Sequence, residues 1–424
     1  MILTNDVGPV PMQVGAILLL GAGAELDLAA VTALLAERIA AVPRLRQRLV
    51  RTPAGRGRPL WADDQAFDIG SHVRAVTCAP PGDEAALLET AVSTVTRPLP
   101  WSRPLWSATL VTGLAGSRSA VVVVFHHVLA DGIGGLAVLA SLVDGVVVPA
   151  EVTFPGPAPT RRQLAVDALG SRLTALAHPA AVLRRLRPAF AELNPRGVVR
   201  PVRTTLNRAT GTGRRATVAR ADLGLMRATA HAHTATVNDV VLTAVARALR
   251  SYLARQDERL DNLVASVMVA GRAPAGPALL GNVVGVMPVR LPTGGERGEQ
   301  LARISALTRA RKTQDRGASA GLLRPAFGIL AVLGLLKWFI NHQRMVNDFV
   351  TNLRGPDEPQ RFAGAVIADL IPITLVTGNV TLSFAVLSYA GSLAVVAIAD
   401  RDAHRDLDGL VALLQAELDA LTGA

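Results

Sequence analysis

Two adjacent histidines, His126 and His127, directly follow a run of valines and precede Asp131 and Gly132. A histidine whose pKa lies near neutrality can take the proton from a hydroxyl, and a free alcohol is otherwise a poor nucleophile at neutral pH. Asp131 can fix the intervening loop through an arginine or a backbone hydrogen bond, and Gly132 permits backbone angles or close approaches that a Cβ would forbid. The pattern therefore indicates a rigid turn that presents an imidazole as a general base.

The segment before the histidines, residues 120–125 with the sequence AVVVVF, is typical of a fully buried strand. Successive side chains of a strand point to opposite faces, so His126 and His127 cannot both enter the same cavity. One should face the site while the other supports it. The residues alone leave two alternatives, a pair of hydrogen-bonded core or loop histidines and a metal site. A metal site is disfavoured because adjacent strand residues diverge and no second His or carboxylate cluster completes a ligand set.

The N-terminal part of the chain alternates between strand and helix patterns, which predicts a layered α/β domain. We expect strands over residues 13–20 and 108–112, and helices over residues 28–42, 84–94 and 134–146. Asp27 is expected to be the N-cap of the first of these helices.

A proline-rich stretch, residues 149–159, contains four prolines in eleven residues and is the best linker candidate. The sequence thus predicts an N-terminal domain over residues 1–148, a linker with a basic helical connector over residues 149–200, and a C-terminal domain over residues 201–424. Within the C-terminal domain the expected helices cover residues 236–255 and 406–421. The expected strands cover residues 215–218, 263–269, 380–387 and 392–398.

The formal net charge is +11 and the sequence pI is near 11.2, which is compatible with nucleic acid or an anionic membrane surface. Aromatic residues are only 4% of the chain, so bases would have few stacking platforms, and no RNA-binding signature is present. We therefore expect no nucleic-acid partner. The arginine-rich connector, residues 160–193, is either a solvated helix face or a helix that touches a membrane.

Cys78 is the only cysteine, which excludes an intrachain disulfide and fits a reducing cytoplasm. Residues 1–15 contain no basic region followed by an apolar core and a cleavage site, so we expect no secretion signal. The strongest apolar stretch, residues 325–340, is interrupted by Lys337 and falls short of the roughly 20 apolar residues of a spanning helix. It should be buried or lie at an interface. We expect a cytoplasmic protein and leave open a peripheral contact with the inner membrane face or lipid droplets.

The motif His126-His127-x-x-x-Asp131-Gly132 resembles the signature of the CoA-dependent acyltransferase superfamily, which includes chloramphenicol acetyltransferase and peptide-synthetase condensation domains. More narrowly, the chain resembles the bacterial wax ester synthase/diacylglycerol acyltransferase family, because further segments match that family in order over almost the whole chain. These segments are Pro11-Met12-Gln13-Val14-Gly15, Arg103-Pro104-Leu105-Trp106, Thr236-Val237-Asn238-Asp239-Val240-Val241, Gly281-Asn282 with Leu291-Pro292, Thr351-Asn352 with Gly355-Pro356, and Ser388-Tyr389 with Gly391.

This resemblance implies an α/β fold of two chloramphenicol-acetyltransferase-like layered domains with an active-site tunnel between them. Acyl-CoA would enter from one side and a hydroxyl acceptor, most simply a lipid, from the other. His127 would deprotonate the acceptor for direct attack on the thioester without a covalent acyl-enzyme, and His126, Asp131 and Gly132 would support it. The resemblance implies no metal and no cofactor, with acyl-CoA as a substrate, and it leaves the oligomeric state open.

Five further residues become candidates for substrate binding or support. Asn238 would help to position substrate or catalytic groups, although it could instead cap the helix that begins there. Arg272 would fix a loop, pair with an acid or contact the anionic end of CoA, unless it simply faces solvent. Trp106, which follows Pro104 and Leu105, is expected to be a structural wedge beside the site rather than a reacting group.

The sequence differs from the family pattern near its start. Only ten residues precede Pro11, Gln13 stands where the family commonly has a histidine, and the family's N-terminal glutamate is absent. These differences leave the acceptor open between diacylglycerol, a long-chain alcohol and a polar acceptor of specialised metabolism, with a non-catalytic lipid-binding protein as a further alternative. A serine hydrolase is disfavoured, because the G-x-S-x-G match at residues 317–321 follows a charged helical pattern rather than a buried strand.

Overall fold

The structure is a computed structural model that describes most of the 424-residue chain. The described residues are 6, 10–23, 26–50, 59–146, 154–157, 160, 162–164, 166, 169–170, 201–269, 285–313, 330 and 333–424. They form two six-stranded sheets with helices packed against them. This arrangement confirms the predicted α/β class.

The helices of the described residues vary in length from six to eighteen residues. They are α1 (Leu28–Arg38), α2 (Glu84–Thr96), α3 (Gly132–Leu142), α4 (Leu223–Ala232), α5 (Val237–Ala254), α6 (Arg297–Thr313), α7 (Leu336–Asn341) and α8 (Leu407–Thr422). Within this described part of the chain, none of them combines the length and apolar character needed to cross a bilayer.

The first sheet surrounds the strand that ends in the histidine motif. Its strands are β1 (Gln13–Leu20), β4 (Val73–Thr77), β5 (Trp106–Leu114), β6 (Arg118–His126), β11 (Arg361–Phe362) and β12 (Ala365–Ile373), and their order across the sheet is β11-β12-β1-β6-β5-β4. A separate hairpin consists of β2 (Gln47–Val50) and β3 (Leu60–Asp63).

The motif strand β6 lies between β1 and β5 and is antiparallel to both. Val121, Val123 and Phe125 pack on one face, in a core shared with α1 and α3. Val122 and Val124 pack on the other face, in a core shared with α2 and the second sheet. Because both faces are buried, the strand needs apolar residues at every position, which explains the continuous valine run.

The second sheet is built entirely from the C-terminal part of the chain. Its strands are β7 (Arg214–Asp222), β8 (Asn262–Val269), β9 (Gly285–Pro292), β10 (Asp348–Arg354), β13 (Leu382–Tyr389) and β14 (Ser392–Asp400), in the order β7-β14-β13-β10-β8-β9. β10 is parallel to β8 and β13, and the other neighbours are antiparallel. Helices α5 and α8 cover one face, while Ala385, Val396 and Ile398 on the other face join the core beside the first sheet.

A segment of the C-terminal part crosses to the first sheet as β11 and β12. β12 pairs antiparallel with β1, with Ile371 opposite Ile17. The buried hydroxyl of Tyr389 fixes this segment from the second sheet, because it accepts a hydrogen bond from Gln360 N (2.7 Å) and donates one to Ile367 O (2.9 Å). The first sheet is therefore incomplete without residues that follow residue 360.

Most of the predicted helix starts are confirmed. They could be predicted because capping side chains can be recognised in the sequence. Asp27 accepts a hydrogen bond from Ala30 N, as expected of an N-cap. Helix α3 begins at Gly132, two residues earlier than predicted, and it ends at Leu142 rather than at residue 146. Its N-cap is Asp131, a residue that we had assigned to the loop between the histidines and the helix.

The predicted domain boundaries stay predictions, since residues 147–153 and 171–200 lie outside the described residues. Most of the predicted basic connector, residues 160–193, lies outside them as well. The sheet order adds one fact that the sequence patterns did not indicate. Residues after 201 are not confined to the second sheet, because β11 and β12 complete the first one.

The bridging hydroxyl of Tyr389 provides a test of the crossover. Replacing Tyr389 with Phe leaves Gln360 N and Ile367 O without this partner, and burying such groups unpaired costs about 1–3 kcal/mol. We expect a lower free energy of unfolding in urea by about that amount, with little loss of activity in the folded protein. A free energy of unfolding equal to that of wild type would contradict this role.

A second test concerns Asp348, which is fully buried at the start of β10. Neither of its carboxylate oxygens is hydrogen-bonded to another residue that the structure describes. Burial raises the pKa of this carboxyl to about 8. An unfolded chain releases the proton near pH 4, whereas the folded protein retains it up to about pH 8. This group therefore stabilises the fold most at low pH, and its contribution falls as the pH rises through that window.

The Asp348→Asn variant removes this titration. Relative to the variant, wild type should lose about 1.4 kcal/mol of unfolding free energy per pH unit between about pH 5 and pH 7, because one extra proton is bound in the folded state. Urea denaturation at several pH values measures this difference, and the exposed Asp402→Asn serves as the control. Parallel curves for wild type and Asp348→Asn would show that Asp348 is already ionised in the fold.

Candidate active site

The backbone of the histidine pair is fixed by both neighbouring strands. His126 N donates to Leu105 O at the start of β5 (3.0 Å), and His127 N donates to Met12 O just before β1 (2.8 Å). His126 O then accepts from Leu129 N (2.8 Å), which closes a turn at the end of β6. The two segments that flank the motif in space thus bind one histidine amide each.

The imidazole of His126 uses both of its nitrogens inside the protein. Nδ1 accepts a hydrogen bond from Val128 N (3.1 Å), so Nε2 must have the proton and donates it to Asp6 Oδ2 (3.2 Å). The ring is buried, and its centroid lies 4.9 Å from that of Trp101 in an edge-on arrangement. Both ring nitrogens of His126 are thus engaged within the protein, and its supporting role stays a prediction.

Asp6 connects the two histidines. Its Oδ1 accepts from Met12 N (3.1 Å), and Met12 O in turn accepts from His127 N, so one carboxylate supports His126 directly and His127 through one residue. The hydrogen bond from His126 lowers the pKa of the Asp6 carboxyl below its usual value, against the effect of burial. Asp6 was not predicted as a site residue, because the family pattern pointed only to a glutamate in this part of the chain.

Asp131 and Gly132 determine how the loop after the histidines enters α3. Asp131 Oδ1 accepts from Gly134 N (2.9 Å), which is an N-cap bond, so the predicted backbone hydrogen bond of Asp131 is present. A Cβ on Gly132 would lie 3.3 Å from the side chain of Leu353 on β10. Gly132 thus allows a close approach between α3 and the second sheet, rather than an unusual backbone angle.

Asn238 lies at the second position of α5 and does not cap that helix. The N-cap is Thr236, which forms a reciprocal capping box with Asp239, so the capping interpretation of Asn238 was wrong. Asn238 Oδ1 instead accepts a hydrogen bond from Asn352 Nδ2 (3.2 Å) on β10. This amide pair joins the start of α5 to β10.

Trp106 occupies the position of a structural wedge, and Pro104 and Leu105 act through their backbones. The buried indole Nε1 of Trp106 donates to Leu45 O (2.7 Å), and the ring stacks on His72 with a centroid distance of 4.6 Å. Leu105 O accepts from His126 N, while Pro104 O accepts from Trp106 N. These bonds connect the start of β5 to the motif and to Leu45, and the supporting roles of the three residues stay predictions.

The remaining predicted residues have different outcomes. His127 is half-buried at the end of β6, and Arg272 lies outside the described residues, as does the segment Gly281-Asn282. Among the residues that the structure describes, there is no group of three or more His, Cys, Asp or Glu side chains that could bind a metal ion. The roles of His127 and Arg272 stay predictions.

A small cleft lies between the first sheet, α2 and the second sheet. Its polar lining includes Gln13 and Arg214, and His127 is not part of its wall. Gln13 is directly opposite His126 in the sheet, so the cleft lies on the His126 side of the motif strand. Its apolar lining consists mainly of Val92, Val95, Ile373, Leu375, Val376 and Ile398.

Two family models match the chain. The wax ester synthase/diacylglycerol acyltransferase catalytic domain matches residues 1–241, and the C-terminal domain of the same family matches residues 280–422. The chain belongs to the wax ester synthase/diacylglycerol acyltransferase (WS/DGAT) family. The predicted resemblance is confirmed, and the protein is an acyltransferase of this family.

Similar proteins cover nearly the whole chain. A probable diacylglycerol O-acyltransferase, Tgs1 of Mycobacterium tuberculosis (strain ATCC 25618 / H37Rv), is 31% identical over 395 residues, covering 90% of this chain and 85% of that protein. Rv0221 of the same strain, which is named as a putative diacylglycerol O-acyltransferase, is 28% identical over 410 residues. The match covers 92% of this chain and 87% of that protein.

Solved structures show the same fold at lower sequence identity. The wax ester synthase/diacylglycerol acyltransferase from Marinobacter aquaeolei VT8 has a TM-score of 0.70 and 23% identity, covering 100% of this chain and 98% of that one. The first condensation domain of the CDA synthetase has a TM-score of 0.61 and 20% identity, covering 99% and 92%. The two-sheet architecture is therefore that of WS/DGAT proteins and condensation domains.

The contact between Asp6 and His126 leads to a prediction for this WS/DGAT chain. Replacing Asp6 with Ala removes a charge-assisted hydrogen bond from His126 and the partner of Met12 N. We expect acyl transfer to show a kcat about tenfold lower, equivalent to about 1.4 kcal/mol, because the His127 backbone loses its support. Steady-state kinetics with Asp402→Ala as the control measure this effect. An unchanged kcat in folded Asp6→Ala would exclude a positioning role for Asp6.

Proposed function

We propose that this acyltransferase moves a long-chain acyl group from acyl-CoA to the hydroxyl of diacylglycerol, or of a long-chain alcohol, and so forms a triacylglycerol or a wax ester. One observation supports this most strongly. The WS/DGAT match extends over almost the whole chain, and the relative Tgs1, described as a probable diacylglycerol O-acyltransferase, covers 90% of it. The His-His-x-x-x-Asp-Gly motif is intact at the end of β6.

In the proposed reaction, His127 acts as the general base. Its imidazole takes the proton of the acceptor hydroxyl while the hydroxyl oxygen attacks the carbonyl carbon of the thioester. The tetrahedral intermediate collapses by breaking the C–S bond, and the departing CoA thiolate takes the proton back from the imidazolium. The ester and free CoA are the products, so the reaction needs no cofactor and no metal.

The choice of His127 over His126 rests on the hydrogen bonds that engage both ring nitrogens of His126. His126 accepts from Val128 N and donates to Asp6, so it has no nitrogen left with which to accept a substrate proton. His127 is half-buried, with its amide bound to Met12 O. A base must be reachable by substrate yet fixed in position, and this combination fits His127 better than its neighbour.

The other site residues are proposed to support His127 or the substrates. Asp131 and Gly132 fix the loop and its approach to the second sheet. Asn238, paired with Asn352, offers amide groups beside that approach, where they would position substrate. Arg272 is proposed to contact the anionic end of CoA or to pair with an acid.

A lipid acceptor is favoured over a polar one by two observations. The relatives Tgs1 and Rv0221 are both named as diacylglycerol O-acyltransferases. Gln13, which stands where the family commonly has histidine, bonds Val95 O (2.6 Å) and Leu99 N (2.9 Å) and so supports α2 and the segment after it. This departure from the family pattern is therefore structural, which weakens the argument for an altered acceptor.

The decisive experiment measures ester formation directly. Purified protein is incubated with labelled palmitoyl-CoA and either dioleoylglycerol or hexadecanol, and the lipid products are separated by chromatography. We expect labelled ester from wild type and a rate about 10²- to 10⁴-fold lower from His127→Ala, the range for loss of a general base. The control variant is His231→Ala, an exposed histidine on α4.

Each contradicting result has a separate meaning. Failure of wild type to form an ester with any hydroxyl acceptor would exclude the proposed function. Ester formation by His127→Ala at the wild-type rate would exclude the proposed base. Faster turnover of a polar acceptor than of either lipid would favour an acyltransferase of specialised metabolism instead.

A further inference from the structure

Three large apolar side chains are exposed close together around the start of α7. Leu333 and Trp338 are each 62% exposed, and Leu335 is 47% exposed. By comparison, Trp101 is 40% exposed and Trp106 is 1% exposed. Clustered exposure of large apolar side chains on a protein surface indicates an interaction site. We call Leu333, Leu335, Lys337, Trp338 and Arg344 the α7 surface.

The α7 surface is exposed because the opposite side of the helix is anchored to the protein. Leu336 is 2% exposed, and a Cβ on Gly378 would collide with the side chain of Ile340 at 2.4 Å, so the backbone there lies directly against the helix. Asn379 Nδ2 donates to Gln343 O (2.9 Å) just after the helix. The outward position of Leu335 and Trp338, three residues apart on one helix face, is therefore fixed by packing.

The described residues of this segment carry charge of a single sign. Residues 333–347 contain two cations, Lys337 and Arg344, and no Asp or Glu. Lys337 and Arg344 are exposed, and Asp348, the next acid along the chain, is fully buried. A basic, apolar surface of this kind complements an anionic phospholipid leaflet.

The chemistry of the α7 surface fits a leaflet better than another protein. Tryptophan is favoured at the headgroup level, leucine inserts below it, and lysine can keep its charge in water while its stem lies along apolar groups. A specific protein interface needs about 800 Å² on each partner and is depleted in lysine at its core. Three apolar side chains cover only a small part of such an area, whereas a leaflet needs no matching surface.

We propose that the α7 surface binds the protein to the anionic phospholipid surface of a bilayer. The connector between β12 and β13 adds a reason for this location. Gly378 and Asn379 of that connector support α7, while Leu375 and Val376 line the apolar cleft between the sheets. The connector therefore joins one wall of the cleft to the helix that carries the α7 surface. The delivery of a lipid acceptor to that cleft rests on the proposed function, whereas membrane binding does not.

The first experiment is co-sedimentation with vesicles of phosphatidylcholine containing phosphatidylglycerol, and with vesicles of phosphatidylcholine alone. We expect wild type to bind the anionic vesicles more strongly. The Leu335→Ser/Trp338→Ser variant should show a partition coefficient lower by about tenfold or more, because it loses the inserting side chains. The matched control is Leu225→Ser, which removes a side chain of 42% exposure on α4.

Two results of this experiment would overturn the proposal. One is wild-type protein that remains in the supernatant with anionic vesicles. The other is a Leu335→Ser/Trp338→Ser variant that sediments as wild type does. Lys337→Glu should weaken binding to anionic vesicles only, and equal binding of wild type to both vesicle types would exclude the charge complementarity.

The second experiment locates the contact by using the chain's single cysteine. In a Cys78→Ala background, Trp338→Cys or Leu225→Cys is labelled with a polarity-sensitive fluorophore. We expect a blue shift on adding anionic vesicles only for the label at position 338. An equal shift at both positions, or no shift at position 338, would contradict a contact through the α7 surface.

Activity separates this inference from the proposed function. Wild type that binds vesicles through the α7 surface but forms no ester would leave the inference intact and overturn the function. Wild type that forms ester from detergent-dispersed diacylglycerol but does not bind anionic vesicles would overturn the inference and leave the proposed function intact. If both hold, the Leu335→Ser/Trp338→Ser variant should lose activity only with acceptor supplied in vesicles.

Discussion

The hydrogen bonding of the β6 end is the constraint on which the rest of the site depends. Two histidine amides bind the carbonyls of Leu105 and Met12, which directly precede the neighbouring strands β5 and β1. The pair therefore cannot shift along the sheet without breaking both bonds. This explains why the segments around Met12 and Leu105 resemble the family pattern although neither offers a reactive side chain. It also explains why Trp106 is buried against Leu45 O, because the strand that binds His126 must itself be fixed.

The sequence was sufficient for the parts of the fold that depend on local patterns. The valine run gave a strand buried on both faces, because its neighbours on each side are apolar. Asp27 gave a helix start, because an N-cap bond needs only residues three positions apart. A close approach at Gly132 could also be predicted, since a glycine after the histidine motif permits one. Its partner Leu353 could not be predicted.

Contacts between distant segments account for what the sequence did not reveal. The crossover of β12 to β1 depends on long-range pairing and on the Tyr389 hydroxyl, for which no local pattern exists. Asp6 approaches His126 across 120 residues of sequence, so a carboxylate in an irregular N-terminal segment offered no signal of its role. Asn238 resembled an N-cap because it lies two residues after the true N-cap, Thr236. The capping box of Thr236 with Asp239 and the bond of Asn238 to Asn352 separate the two interpretations.

The two sheets are joined in ways that oppose their separation. β11 and β12 belong to the first sheet, while β10 and β13, which precede and follow them in the chain, belong to the second. Arg220 of β7 also bonds both Glu84 of α2 and Asp369 of β12. Opening the interface would break this network and expose the apolar core between the sheets, which is costly. We therefore expect substrates to reach the interior at the edges of the interface rather than by separation of the sheets. The connector from β12 to β13 links this interface to α7, because Leu375 and Val376 line the cleft while Gly378 and Asn379 pack against the helix and the residues after it.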